Sequence, residues 1–316
     1  MHIIQNSIYY KYQLCYNYSP RKGQLNMPKQ PEFQTVDEMM TLLMITAKES
    51  PTYQRIAIYI EKNYLRIIFM TASELAEKMR VSQGSVSRFF MALGYNGYNG
   101  FLHNLQQLVS QQLTAPQRLQ YSQPRQQPAT PLQNILQTEQ ANMDELTGIM
   151  QGESYQKILA MIVSPKPLIL LSSRMSATLL PYTAYILQKM RPQVSIVTPE
   201  KAEWELLDLA RPADVNVLAI AFPRYPNNLL KKCKALHEKH VPLGVLTDSK
   251  LSPIVSFADA AVFVSVTTTS LFDCYSTPMM FLNLMLRDAA SKLPHIEERI
   301  AKIEEIEHVN NVYFTK

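Results

Sequence analysis

Cysteine, long apolar runs and catalytic motifs are scarce in this chain. Its 316 residues include three cysteines, Cys15, Cys233 and Cys274, with no CxxC pair and no histidine at ligand spacing, so neither a zinc site nor a disulfide framework is indicated. No apolar run reaches the roughly 18 residues of a membrane span, and the first residues lack the apolar core and cleavage site of a signal peptide. No catalytic triad, metal cluster or GxxxxGKS/T loop is visible. We therefore expect a cytoplasmic protein with no membrane contact, metal or cofactor.

The composition is that of a folded protein with a modest basic surplus. Hydrophobic residues make up 47% and charged residues 18%, close to globular averages, and the length favours two domains. The formal net charge is +5, and residues 51–113 hold six basic against three acidic side chains. Such a surplus suits DNA as a partner, although it is too small to establish one.

The stretch from Thr71 to Gly94 predicts two short helices joined by a tight turn. Its apolar residues recur twice at helical spacing, with a break between the two sets. Thr71 and Glu74 form a capping box for the first helix, Ser82 caps the second, and Gly94 ends it. So short a turn holds the helices crossed, which is the arrangement of a helix-turn-helix.

The outward face of the second helix carries small polar side chains and one arginine. These side chains suit base edges and phosphates, whereas the alternative, an ordinary solvated hairpin, would normally carry lysine and glutamate there. The predicted DNA-contacting residues are Thr71, Ser82, Gln83, Gly84, Ser85, Ser87 and Arg88.

The chain divides into four predicted regions. Residues 1–30 are either a disordered tail or the product of a misread start codon, with Met27 as a second possible start. Residues 31–112 form an all-α domain that contains the helix-turn-helix, with helices from Val36 and from Pro51. Residues 113–131, dense in glutamine and proline, form a linker. Residues 132–316 form a second domain.

The second domain alternates short apolar strands with helices. Helices are predicted at 132–150 and 155–162, and strands at 168–172, 194–197, 215–222, 243–248 and 260–266. Further helices are predicted between the first four strands, at about 176–190, 203–209 and 227–240, and a long final helix over about 272–293. Unbroken apolar strands separated by helices predict a parallel sheet covered on both faces, an α/β three-layer sandwich. Ligands of such folds bind at the carboxyl ends of the strands.

Three strand-end loops carry side chains suited to an anion. The first places hydroxyls and backbone N–H groups at a helix start, the second brings an arginine, whose planar fork matches phosphate, and the third adds a threonine. A serine after one strand is as readily a simple helix cap, but three such loops together favour a site. The residues predicted to bind an effector are Ser172, Ser173, Arg174, Ser176, Arg224, Asn227 and Thr247.

Two segments carry a family resemblance. VSQGSVSRFF, continued by LGYNGYNGF, resembles the N-terminal domain of the RpiR (MurR/RpiR) family of bacterial transcription regulators. Residues 132–312, most specifically FPRY and TDSKLSPIVSFAD, resemble the sugar isomerase (SIS) domain, the phosphosugar-binding module that usually follows it. The resemblance implies a regulator of sugar or amino-sugar metabolism that binds a DNA operator as a homodimer or homotetramer. Its SIS domain would bind a sugar-phosphate-like effector and dimerise.

The chain departs from the family pattern at several positions. Arg80 stands where helix-turn-helix turns usually hold a glycine, and Ser172 and Arg174 replace the glycines of Gly-x-Gly-x-Ser in the first SIS loop. Pro226 replaces a common serine. The Arg174 side chain either narrows the site or itself binds the phosphate.

Two other functions remain open: a phosphosugar isomerase with an accessory helical domain, and a regulator whose SIS domain only dimerises. An isomerase needs a general base over the sugar, and the histidines of this region stand alone. We therefore predict a regulator without catalytic residues.

Overall fold

The computed structural model describes residue 33 and residues 35–109, 113–122, 131–268 and 272–314. The predicted tail, residues 1–30, lies outside this part of the chain, as does Cys15. Among the described helices there is none with the length and apolar character needed to cross a membrane.

An all-helical domain forms the N-terminal part of the described chain. Its elements are α1 Val36–Thr46, α2 Pro51–Ile67, α3 Ala72–Met79, α4 Gln83–Ala92 and α5 Tyr98–Val109. The predicted starts at Val36 and Pro51 are confirmed. The side chain of Ser50 caps α2 by accepting from the backbone N–H of Tyr53, so the missing N–H of Pro51 costs nothing at the first helical position.

Aromatic rings pack the centre of this domain. The ring of Phe90 lies 4.6 Å from that of Phe101 and 5.1 Å from that of Tyr98, between ring centres. The Tyr98 hydroxyl lies 3.0 Å from the Ile67 carbonyl oxygen and 2.9 Å from that of Met70, so its polar end is satisfied inside the core. The helix-turn-helix is therefore packed against a well-filled aromatic core.

The predicted linker contains a helix. α6, Ala115–Ser122, occupies the first half of residues 113–131, and the next helix, α7 Pro131–Asp144, begins at its last residue. The backbone N–H and hydroxyl of Thr114 each lie 2.9 Å from the Gln117 side-chain oxygen, and the Arg118 N–H donates to the Thr114 carbonyl. The composition of this segment predicts a spacer, but its described part forms a capped helix.

The second domain continues with alternating helices and strands. Its elements are α8 Leu146–Met150, α9 Glu153–Val163, β1 Leu168–Ser172, α10 Leu180–Met190, β2 Val194–Val197, α11 Glu203–Leu206, β3 Asn216–Ile220, α12 Asn227–Glu238, β4 Leu243–Thr247, β5 Ala260–Phe263, β6 Thr267–Thr268, β7 Asp273–Cys274, α13 Ser276–Lys292 and α14 Ile296–Val309.

Strands β1 to β5 form one parallel sheet in the order β2-β1-β3-β4-β5. Alternate side chains of β3 enter two separate cores: Leu218 and Ile220 pack with residues of α9, α10 and α13, whereas Val217 and Ala219 pack with residues of α12. Helices thus cover both faces, which confirms the predicted α/β three-layer sandwich. The strand order changes direction at β1, because β2 lies on one side of β1 in the sheet and β3 lies on the other.

The largest differences from the predicted element boundaries concern three helical segments. The expected helix at 132–150 is two helices, α7 and α8. The segment before α10 starts as a 3₁₀ helix, Arg174–Leu179. The final long helix starts at Ser276 rather than near residue 272, because Asp273 and Cys274 instead pair as β7 with the antiparallel strand β6.

Candidate functional site

The helix-turn-helix has the predicted geometry. The Thr71 hydroxyl accepts from the Glu74 N–H at 3.1 Å, and the Glu74 carboxylate accepts from the Thr71 N–H at 2.7 Å, so the capping box is complete. Ser82 caps α4 by accepting from the Ser85 N–H. Thr71 therefore has a helix-capping role beside its predicted DNA contact.

Arg80 adopts the conformation of the glycine that it replaces. Its backbone is left-handed, with φ 53° and ψ 48°, a region that costs a non-glycine residue roughly 1–2 kcal/mol. Its N–H donates to the Glu77 carbonyl oxygen, and the Arg55 guanidinium donates to the Met79 carbonyl oxygen at 2.6 Å. The end of α3 is thus tied to α2, and this support offsets the strain in the turn.

Helix α4 buries one face and exposes the other. Val86, Phe89 and Phe90 are completely buried, whereas Gln83, Gly84 and Arg88 are exposed and Ser85 and Ser87 are half-buried. The exposed start of the helix is the surface that a helix-turn-helix presents to a major groove.

Hydrogen bonds organise the polar start of α4. The Ser82 and Ser85 hydroxyls lie 2.9 Å apart, and the Arg88 guanidinium donates to the Ser85 hydroxyl at 3.3 Å. A Cβ on Gly84 would come 3.5 Å from the Arg88 guanidinium. This distance is an ordinary van der Waals contact, so the Arg88 side chain can lie along the helix start with or without a side chain at position 84.

A cavity of about 650 Å³ opens at the carboxyl ends of β1 and β3. This is the point where the strand order reverses, the usual ligand site of an open parallel sheet. Five of the seven predicted effector-binding residues line it: Ser173, Arg174, Ser176, Arg224 and Asn227.

Ser172 and Thr247 do not line the cavity, contrary to prediction. Ser172 is the last residue of β1, and its buried hydroxyl donates to the Ile220 carbonyl oxygen of β3 at 2.6 Å. The buried Thr247 hydroxyl lies 2.9 Å from that of Ser252. Both side chains satisfy their polar atoms within the sheet edge and the third loop, so they stabilise the cavity from outside its wall.

The two serines of the first loop have different environments. The Ser176 hydroxyl accepts from the Phe222 N–H at 3.1 Å and lies 3.2 Å from the Tyr275 hydroxyl, so it joins two loops to the segment before α13. The Ser173 hydroxyl is buried and has no hydrogen-bond partner among the described residues. A buried hydroxyl that lacks a partner costs about 1–3 kcal/mol, and a ligand in the cavity would remove that cost.

Arg174 and Arg224 enter the cavity from left-handed backbone positions, with φ of 58° and 66°. Both side chains are exposed. Strained non-glycine residues of this kind concentrate at ligand sites, where the surrounding structure holds them. Arg174 leaves the cavity open at about 650 Å³, which favours its interpretation as a binding residue over that of a blocking one.

The N-terminus of α12 adds backbone donors. Pro226 occupies its cap position and makes no side-chain cap bond, and the Asn228 side-chain oxygen accepts from the Leu229 N–H at 2.8 Å. Asn227 and Asn228 line the cavity. Their backbone N–H groups and the helix dipole both favour an anion at this position.

The third loop supports the second through a buried contact. The Tyr225 hydroxyl donates to the Asp248 carboxylate at 2.5 Å. Burial, the largest cause, raises the pKa of Asp248 to about 6, although the hydrogen bonds from Tyr225 and Thr247 act the other way. The contact fixes the residue that follows Arg224, and thereby the direction of the arginine.

The cavity residues that the sequence did not indicate include Arg118, Asp273 and Tyr275. Arg118, on α6, is buried and its guanidinium donates to the Asp273 carboxylate at 2.8 Å. The signal that could have placed Arg118 on a helix is Thr114-x-x-Gln117, a capping-box pattern in the presumed linker. No local pattern indicates Asp273, because its role depends on a contact across 155 positions.

Comparison with protein families agrees with both parts of the chain. The helix-turn-helix domain of the rpiR family matches residues 42–112, and the SIS domain matches residues 161–287. The chain carries a helix-turn-helix domain of the rpiR family followed by a SIS domain. It is a DNA-binding transcription regulator with a SIS domain, in the arrangement that the sequence resemblance implied.

Solved structures similar to this chain include a SIS domain that supports the α/β fold. The sugar isomerase domain of the RpiR transcription factor from Sphaerobacter thermophilus is 19% identical, with 57% of this chain and 99% of that one covered and a TM-score of 0.51. NanR from Vibrio vulnificus, in complex with ManNAc-6P, is 16% identical, with 84% of this chain and 97% of that one covered and a TM-score of 0.47. No curated protein matches the chain.

Proposed function

We propose that this regulator binds a bacterial operator through α4. A phosphorylated sugar held in the α/β cavity changes its affinity for that operator. The observation that carries the effector assignment is the convergence of Arg174, Arg224 and the N-terminus of α12 on one cavity. Two planar forks and a positive helix terminus fit a dianionic phosphate better than a neutral sugar. The size of the cavity is within the range of small-molecule sites.

The phosphate is expected between Arg224 and the first loop. There the Ser173 hydroxyl, buried and without a partner among the described residues, would donate to it. The sugar hydroxyls then face the amides of Asn227 and Asn228, which can both donate and accept. We propose Ser173, Arg174, Ser176, Arg224 and Asn227 as the effector-binding residues.

On DNA, two chains of a homodimer or homotetramer would place their α4 helices in successive major grooves. The half-sites of such an operator are about 10 base pairs apart, centre to centre. Thr71, Ser82, Ser85 and Ser87 would contact the backbone or bases at the helix start, with Gln83 and Arg88 reaching furthest. This proposal places the protein in the bacterial cytoplasm with its operator.

The decisive experiment is an operator titration at fixed salt, with and without a panel of hexose and amino-sugar 6-phosphates. We expect one of these compounds to change the operator affinity of the wild-type protein. Arg224→Ala should lose this response and keep its effector-free operator affinity, because Arg224 is remote in sequence and fold from α4. Arg211→Ala, which removes an exposed arginine paired with Asp214 outside the cavity, is the matched control and should respond normally.

The outcomes separate the three functions. An equal response of Arg224→Ala and wild type would remove this loop from the phosphate site. No response in either would favour a SIS domain that only dimerises. Turnover of a phosphosugar by the purified protein would favour an isomerase; among the described residues that line the cavity, the carboxylate available as a base is that of Asp273, which is paired with Arg118.

A further inference from the structure

The helix in the linker reaches into the effector cavity. Arg118, on α6, has 1% of its side chain exposed, and its partner Asp273 has 5%. Both residues line the cavity. We propose that Arg118 is itself an anion-binding residue, that a phosphate in the cavity displaces the Asp273 carboxylate from its guanidinium, and that this exchange reports occupancy to the linker. The inference rests on the proposed function, because it assumes an anionic effector in this cavity.

The charges of the cavity favour such an exchange. Among the described lining residues, Arg118, Arg174 and Arg224 stand against one acidic side chain, Asp273. A buried arginine without a counter-ion is strongly unfavourable, so Asp273 compensates Arg118 while the cavity is empty. A phosphate dianion carries more charge than a carboxylate and presents the same two-oxygen edge to the guanidinium fork. It can therefore take the place of Asp273 without leaving Arg118 uncompensated.

The released segment connects to both sides of the linker. Asp273 pairs with α6, and two residues later the Tyr275 hydroxyl lies 3.2 Å from that of Ser176 in the first loop. Two residues further on, the N–H and hydroxyl of Thr277 donate to the buried Glu139 of α7, at 3.2 and 2.9 Å. Residues 273–277 thus contact the helix that precedes residues 123–130, the cavity, and the helix that follows them. A shift of Asp273 would therefore change its contact with α6 and move the segment whose Thr277 contacts α7.

This arrangement supplies the coupling that a flexible spacer cannot. A ligand shifts an equilibrium only by its differential affinity for the two states. Here the two states differ in the anion that the Arg118 guanidinium binds, which is either the Asp273 carboxylate or the phosphate. The α6 helix carries that difference towards the DNA-binding domain, whose last helix, α5, ends at Val109.

The test uses two substitutions with opposite expected signs in the full-length protein. Binding of inorganic phosphate and of the hexose and amino-sugar 6-phosphates is measured by calorimetry. Arg118→Gln removes a guanidinium that donates hydrogen bonds to the anion, so it should weaken phosphate binding about 10- to 100-fold. Asp273→Asn removes the competing carboxylate and its repulsion and should tighten binding roughly fivefold or more. If the pair only held the linker in place, both substitutions would weaken binding.

Control variants distinguish a binding role from a folding defect. Gln120→Ala alters an exposed position of the same helix and should bind phosphate as wild type does. Arg118→Lys keeps the charge without the fork and should bind with an affinity between those of wild type and Arg118→Gln. Far-UV circular dichroism and the fluorescence of Trp204, the one tryptophan of the chain, show whether each variant is folded.

Three results overturn the inference. Weaker binding by Asp273→Asn, or unchanged binding by a folded Arg118→Gln or Arg118→Lys, contradicts the exchange while wild-type binding still supports the proposed function. Absence of phosphate and phosphosugar binding in the wild-type protein overturns both.

Discussion

At the residue scale, arginines of this chain have distinct roles that follow from their surroundings. Arg80 is a turn residue with a strained backbone, Arg88 lies on an exposed helix start, and Arg118 is buried against a carboxylate. The planar fork of five donors serves the second and third of these roles, whereas Arg80 acts through its backbone. Residue type alone therefore indicates a cation, and the environment decides what it binds.

Arg88 is the residue that we expect to matter most for operator recognition. Arg88→Ala should weaken operator binding by about 1–3 kcal/mol and relax the sequence preference at one position, because a guanidinium that forks onto a guanine reads a base. Affinities for the operator and for single-base variants, measured at one salt concentration, check this.

Lys48→Ala is the matched control for Arg88→Ala, since Lys48 is an exposed cation of the same domain that precedes α2. It should change affinity less and leave the base preference intact. Unchanged operator affinity in Arg88→Ala would mean that the exposed start of α4 is not the DNA-contacting surface.

At the element scale, the helix-turn-helix combines a strained turn with a strongly fixed helix on either side. Helix α3 is held by its capping box and by Arg55, and the Phe89 ring packs 5.3 Å from that of Tyr53. These contacts determine the crossing of α3 and α4 whatever residue stands at position 80. The turn therefore keeps its left-handed geometry without a glycine.

Substitution of Arg80 measures the strain in this turn. Arg80→Gly should raise the free energy of unfolding of the helical domain by about 1 kcal/mol, because glycine adopts positive φ without a steric penalty. Arg80→Ala keeps a Cβ and should bring no such gain. Thermal unfolding followed by circular dichroism compares the two; equal stabilities would show that the turn stores no backbone strain. Trp204 fluorescence, which reports the α/β domain, should be unaffected.

At the scale of the whole molecule, a buried carboxylate under the effector loops links stability to pH. Between the ordinary aspartate pKa of about 4 and the folded value of about 6, folded Asp248 binds a proton that the unfolded chain does not. The free energy of unfolding should therefore fall as pH rises through this window. Above this window Asp248 is ionised in both states, and its buried charge lowers the free energy of unfolding by a constant amount.

Asp248→Asn should remove that cost. An amide oxygen can still accept from the Tyr225 hydroxyl, so we expect the variant to exceed wild type by about 1–3 kcal/mol at pH 8 and to equal it near pH 4. Urea unfolding followed by Trp204 fluorescence at several pH values checks the difference.

Asp214→Asn is the contrasting control, because the Arg211 side chain lowers the pKa of Asp214, and its small effect should have the opposite sign. The wild-type protein should lose stability between about pH 4 and 6, and the Asp248→Asn variant should not. The same loss in the variant would mean that Asp248 is not a buried carboxylate with a raised pKa.

The sequence by itself determined the local structure of this protein. The capping box at Thr71, the cap at Ser82 and the exact limits of β1 and β2 were predictable, because caps and apolar periods act between residues a few positions apart. The sandwich and the position of its ligand site followed from the alternation of strands and helices. The helix in the linker was missed although Thr114-x-x-Gln117 marks its start, because composition outweighed that local signal.

Only the tertiary structure decided which side chains face the cavity. Ser172 and Thr247 were indistinguishable in sequence from Ser173 and Ser176, but the pairing of β1 with β3 points the Ser172 hydroxyl at the Ile220 carbonyl oxygen. Arg118 and Asp273 meet across 155 positions, and the energy of burying a charge depends on the partner that the fold brings to it. Local patterns carry no record of such a partner, so the residues that line the cavity could be found only in three dimensions.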